Sequence, residues 1–88
     1  MNSIFQFSNV HWNVSLSQRH FLSFASKDNG NVVIINLQKE VGLKIEASLT
    51  TSGKATLIFS ECTLGNNGKF FGEFDMTDLL KLADILVS

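Results

Sequence analysis

Apolar and polar residues alternate with a period of two along most of this 88-residue chain, and the period lengthens to that of a helix only after Asp75. Alternation of this kind gives a strand one buried and one solvated face. Phe5 and Phe7 hold one parity, and Val10, Trp12, Val14 and Leu16 hold the other. We read Val10–Leu16 as a strand that buries those four residues. The change of parity at Ser8-Asn9 requires a bulge or a bend. His11, Asn13 and Ser15 then point away from the core.

The polar break Ser17-Gln18-Arg19-His20 leads into FLSFASK, Asp28-Asn29-Gly30-Asn31 and VVIINL. Asn-Gly is the favoured pair for a two-residue type I′ loop, in which both residues need positive φ. That loop sets Ser26 opposite Val33, Phe24 opposite Ile35 and Leu22 opposite Leu37, with the apolar pairs on one face. Ala25, Val32 and Ile34 fall on the other face, so the hairpin is apolar on both sides near its turn. Leu43, Ile45, Ala47 and Leu49 next alternate with Lys44, Glu46 and Ser48. A three-residue loop, Thr51-Ser52-Gly53, sets Leu49 opposite Ala55, Ala47 opposite Leu57 and Ile45 opposite Phe59. A two-residue loop would oppose Leu49 to Thr56, which rules it out. Gly53 takes the left-handed position of the loop.

Leu57 and Phe59 share one parity while Cys62 and Leu64 share the other, which implies an irregularity near Ser60-Glu61. Asn66-Asn67-Gly68 turns the chain into a strand over Lys69–Phe74. Asp75 is placed to cap a helix, and Asp78 in its first turn suits the helix dipole. Met76, Leu79, Leu80, Ala83, Leu86 and Val87 recur at helical spacing, which predicts these residues as the buried stripe. The expected architecture is α+β: an antiparallel β-meander of about five to six strands with one C-terminal α-helix packed on one face. The strand region covers 4–74, the helix 76–87, and residues 1–88 make a single domain.

Composition narrows the function classes. Net charge is −1, and the basic residues (Arg19, Lys27, Lys39, Lys44, Lys54, Lys69, Lys81) are scattered, which argues against nucleic acid as the partner. The N-terminus has no basic region followed by an apolar core, and no apolar run is long enough to span a bilayer as a helix. Cys62 is the only cysteine, in keeping with a reducing, cytoplasmic setting. Asn13-Val14-Ser15 matches the glycosylation sequon, which we read as chance without a secretory signal.

His11, His20 and Cys62 are the residues on which chemistry could rest, and each lies on a separate segment with no orienting carboxylate placed by the pattern. His11 reads as a solvated strand residue, His20 as a turn residue and Cys62 as a small core residue. Trp12 and the phenylalanines are in phase with aliphatic residues and read as core. No catalytic residue, cofactor or metal ligand is expected. One short helix cannot shield two apolar faces, so the chain is expected to form a homodimer with Ala25, Val32 or Ile34 at or near the interface. The expected function is that of a small non-enzymatic protein-binding protein of inhibitor type, such as an immunity protein, an antitoxin or a phage-encoded inhibitor of a host protein. Those same three residues are the candidate interface. The alternative is a single-stranded nucleic-acid-binding protein with a curved sheet and a C-terminal helix.

Overall fold

A computed structural model describes residues 3–18, 20–40, 44–60 and 71–87. The elements are β1 (Phe5–Ser8), β2 (Trp12–Ser17), β3 (Phe21–Ser26), β4 (Val32–Asn36), β5 (Lys44–Leu49), β6 (Lys54–Ser60), β7 (Glu73–Asp75) and α1 (Met76–Val87). The fold is α+β, with an antiparallel meander and a C-terminal helix as expected. The meander divides into a four-stranded sheet, order β1-β2-β3-β4, and a three-stranded sheet, order β5-β6-β7. The turn expected at 66–68 and Cys62 lie outside the described residues. Of the strand expected over Lys69–Phe74, residues 69–70 lie outside the described residues, Phe71 and Gly72 are not in a strand, and only Glu73 and Phe74 belong to one, β7.

The inner faces of both sheets share one buried cluster with Leu79 and Leu82 of the helix. Aromatic rings join them. Phe24 of β3 stacks on Phe71 with centroids 3.9 Å apart and meets Phe59 of β6 edge-on at 5.7 Å. Trp12 packs edge-on against Phe71, and Phe7 against Phe74. The edge-to-face pairs suit the ring quadrupole.

The parity change near Ser8 is a reversal of the chain rather than a bulge. β1 pairs with β2 so that Phe5 opposes Leu16 and Phe7 opposes Val14. The sequence Asn9-Val10-His11 forms the turn and leaves Val10 80% exposed, which corrects its placement in the core. Asn9 sets the turn: its Oδ1 accepts the backbone N–H groups of His11 (3.0 Å) and Trp12 (2.8 Å). An Asx-type turn gives no apolar signal of its own, so it reads as an interrupted strand.

The β3–β4 register also differs from expectation, by two residues. Phe24 opposes Val33, Leu22 opposes Ile35 and Ala25 opposes Val32; the pairs Ser26–Val33, Phe24–Ile35 and Leu22–Leu37 do not form. The turn is a four-residue loop closed by Ser26, whose N–H donates to Asn31 O (2.7 Å) and whose carbonyl accepts from Gly30 N (3.1 Å). Ser26 Oγ also accepts from the N–H groups of Asp28 and Asn29, and Asn29 Oδ1 accepts from Asn31 N. Gly30 has positive φ (76°) and Asn29 does not. Asn29 therefore serves the turn through its side chain. A slip of two preserves the faces, and Phe24 and Ile35 are buried as expected.

The β5–β6 hairpin has the expected three-residue loop. Leu49 opposes Ala55, Ala47 opposes Leu57 and Ile45 opposes Phe59, with Gly53 at φ 78°. Thr50 N–H donates to Lys54 O and Gly53 N–H to Thr50 O, which closes the loop. Burial along β5 is less than its alternation implies: Ile45 is half-buried, whereas Ala47 and Leu49 are exposed. Lys54 Nζ donates to Asp75 Oδ1 where β6 opposes the end of β7. That bond and the charge of Asp75 raise the Lys54 pKa above its ordinary 10.5.

The helix keeps Met76, Leu79 and Leu86 of the expected stripe against the core and turns the other half of it outward, with Leu82 and Ile85 packed instead. Leu79 and Leu82 are buried, and Met76, Ile85 and Leu86 pack partly against the core. Leu80 is 61% exposed, and Ala83 and Val87 are exposed as well, so these three leave the predicted stripe. Apolar residues surround most of α1, so two stripes fit helical spacing equally well. β7 runs into α1 without an intervening residue, and this junction aims Leu79 and Leu82 at the sheet. Leu82→Ala should therefore cost about 2–5 kcal/mol, the range for core leucines. Leu80→Ala should stay within about 0.5 kcal/mol, as for surface positions. Urea midpoints of the two variants check this; an equal loss in both would refute the observed helix face.

Candidate protein-interaction surface

The first sheet has an outer face because its strands bury alternate residues. Phe7, Val14, Leu16, Leu22, Phe24 and Ile35 point inward. The opposite parity brings Gln6 and Ser8 (β1), Asn13, Ser15 and Ser17 (β2), Phe21, Ser23 and Ala25 (β3), and Val32, Ile34 and Asn36 (β4) to the outside. The registers arrange them in rows across the strands. Gln6, Ser15, Ser23 and Ile34 form one row, and Ser8, Asn13, Ala25 and Val32 form the next.

None of these side chains carries a charge. The face grades from serine, asparagine and glutamine on β1 and β2 to aliphatic residues on β3 and β4. Ala25 is half-buried beside Val32, which is 54% exposed, and Ile34, two residues on, is 60% exposed. The fold thus brings together the three residues singled out from sequence. Shallow depressions flank them. One of about 590 Å³ involves Gln6, Ser8, Asn13, Ser15 and Ala25, and one of about 350 Å³ involves Ser15, Ser17, Phe21, Ser23 and Ile34. The polar half of the surface went unnoticed in the sequence, although its signal is there: every polar residue alternating with the core in FQFS, NVSLS and FLSFAS is uncharged.

Among the described residues β4 is the last strand of its sheet. The N–H of Leu37 donates to His20 O, and the N–H of Ser26 donates to Asn31 O. Antiparallel ladders alternate inward and outward backbone groups. These two bonds therefore fix residues 33 and 35 as bonded to β3, and aim the N–H and C=O groups of Val32, Ile34 and Asn36 away from it. The exposed side chains and the outward backbone groups belong to the same residues.

The histidines are held apart from this face. His11 Nδ1 donates to Asp28 Oδ2 at 2.8 Å, with both side chains mostly in solvent. This contact links the β1–β2 turn to the β3–β4 loop. A depression of about 340 Å³ is lined by His11, Asp28 and Ser26, and Ser26 Oγ accepts the loop N–H groups of Asp28 and Asn29. Gln38 Nε2 lies 3.2 Å from His20 Nε2. His11 and His20 are thus not brought together with each other, and Cys62 lies outside the described residues. Among the described residues no group of His, Cys, Asp and Glu is spaced to hold a metal ion, and no helix is long and apolar enough to cross a membrane. No known protein family, curated protein or solved structure matches this chain.

Proposed function

We propose that the protein is a non-enzymatic binding protein of inhibitor type that occupies a surface of another protein through the outer face of its first sheet. The observation that carries this reading is the charge-free face that ends in exposed Val32 and Ile34 at an open sheet edge. Interface centres are depleted in charged residues, because an ion stripped of water costs several kcal/mol unless it is paired. A face of serine, asparagine and aliphatic side chains avoids that cost. The outward backbone groups of β4 add a second means of attachment, since a strand of the partner extends the sheet there. An uncovered uncharged edge strand is a liability that proteins usually blunt with lysine, proline or a bulge. Its retention here is in keeping with use.

A single-strand binder of nucleic acid would need cations beside exposed rings. This face offers no cation, and Phe21, its one ring, is half-buried.

The test is affinity capture from native cells with the tagged wild type and with a double variant, Val32→Lys and Ile34→Lys. Both positions are exposed, so the melting temperature should change little. The wild type should retain a heterologous protein that the folded double variant loses by about 100-fold or more in affinity, about 2.7 kcal/mol. Equal retention by both would refute the assignment of this face.

A further inference from the structure

We infer that a second surface, formed by the free edge of β5 and the uncovered flank of α1, joins two copies of the chain in an antiparallel dimer. Among the described residues β5 is the end strand of its sheet. The bond from Thr50 N–H to Lys54 O and the β5–β6 register fix which backbone groups are free. Residues 44, 46, 48 and 50 bond to β6, so the N–H and C=O groups of Ile45, Ala47 and Leu49 point outward. The side chains of these same three residues lie on the helix side of the sheet. Leu49 is 67% exposed and Val87, near the end of α1, is 84% exposed. An apolar groove of about 340 Å³ between strand and helix is lined by Ile45 and Ala47 on one side and by Ala83, Leu86 and Val87 on the other. Leu80, Ala83 and Val87 continue it along the helix as a stripe at i, i+3 and i+7, the part of α1 that the sheet does not cover.

A second copy fits this edge by its own symmetry. A two-fold axis through Ala47 sets Ala47 against Ala47 of the other copy and Ile45 against Leu49, and these pairs exchange backbone bonds. Lys44 then opposes Thr50 and Glu46 opposes Ser48, so no like charges meet across the new strand pair. A shift of the axis to Glu46 would oppose two glutamates, which disfavours that neighbouring register. The apolar stripes of the two helices come onto the same side of the joined sheet as the exposed Leu49 side chains. The patch is a strand about 20 Å long beside a helix about 18 Å long, on the order of 400 Å² per copy, about half of a standard interface. The dimer is accordingly weak, and its population depends on concentration in the micromolar range.

Sedimentation velocity over about 1–500 μM tests this, given that weak interfaces dissociate within that range. The wild type should rise from 9.7 kDa toward twice that mass. Ala47→Pro should remain monomeric. Proline is tolerated where an edge N–H faces outward, so this variant removes a dimer bond and no bond to β6. Leu49→Lys, which places like charges in the interface, should raise the dissociation constant by about tenfold or more. Should Ala47→Pro lose its circular dichroism signal, Leu49→Lys decides alone. Wild type that stays at 9.7 kDa throughout, or dimerisation of the folded variants at wild-type strength, overturns the proposal. The contact uses neither Val32 nor Ile34, so its failure leaves the capture experiment on the first sheet unaffected.

Discussion

Phe24→Ala should remove about 3–5 kcal/mol of stability, the range for a buried phenylalanine, and with it most of what a chain of this size has. Phe24 is fully buried and is the ring through which the centre of the first sheet reaches the second, with Phe7 meeting Phe74 beside it. It stacks on Phe71 and meets Phe59 edge-on. Truncation leaves a cavity between two layers, each already held by its own ladder, so the gap closes poorly. A loss of that size lowers the melting temperature by at least about 12 °C for a domain under 100 residues. Phe24→Leu should recover part of the loss. Urea and thermal unfolding of both variants measure it, and a change below about 1 kcal/mol for Phe24→Ala would mean that the sheets are not joined through this ring.

The second large effect is polar. Asn9 accepts two backbone N–H groups within its own turn, and its Nδ2 donates to Phe71 O (2.8 Å) and Glu73 O (3.1 Å), more than sixty residues away. It fastens the first sheet to the strand that leads into the helix. Gly72 lies between those two carbonyls at φ 83°, where a Cβ would come 3.3 Å from Asn9 Nδ2. Backbone conformation and close approach both call for glycine there. Asn9→Ala should cost about 2–4 kcal/mol, the sum of four bonds of which some are solvent-exposed. Asn9→Asp separates the two roles. It keeps both acceptor bonds but turns a carboxylate toward two carbonyl oxygens, so at neutral pH it should be at least as unstable as Asn9→Ala. Stability should return in part below about pH 4, where the carboxyl regains a proton to donate. Denaturation midpoints of the two variants at both pH values check this. An Asn9→Asp variant as stable as wild type at neutral pH would show that the long-range bonds contribute nothing.

Much of the fold is legible in the sequence wherever one face of an element is buried and the other is not. The β5–β6 hairpin follows from Ala47, Leu49, Ala55 and Leu57 and a glycine three residues past Thr50, because a two-residue loop opposes Leu49 to Thr56 and the glycine marks the left-handed position of a three-residue loop. The β3–β4 hairpin misleads by two residues, since Asn29-Gly30 has two uses in a turn and parity does not separate them. The side-chain bonds of Ser26 and Asn29 make that choice. The helix misleads for the opposite reason: Leu79, Leu82 and Leu86 compete with Leu80, Ala83 and Val87, and only the junction with β7 selects between them. The long-range role of Asn9 is invisible because the carbonyls that its Nδ2 reaches, Phe71 O and Glu73 O, are remote in sequence.

Of the interaction surface, Ala25, Val32 and Ile34 are legible as an apolar surplus on the outer parity of a hairpin. Their uncharged companions on β1 and β2 become a surface only through strand order and register, since Gln6, Ser15, Ser23 and Ile34 are contiguous only across paired strands.

The role of that surface is tested most directly by placing a photo-activated cross-linking residue at position 34 in native cells, with position 84 on the exposed side of the helix as the control. An adduct should form between position 34 and one heterologous protein and be absent from position 84. Adducts of equal yield at both positions, or adducts from position 34 to nucleic acid alone, would contradict it.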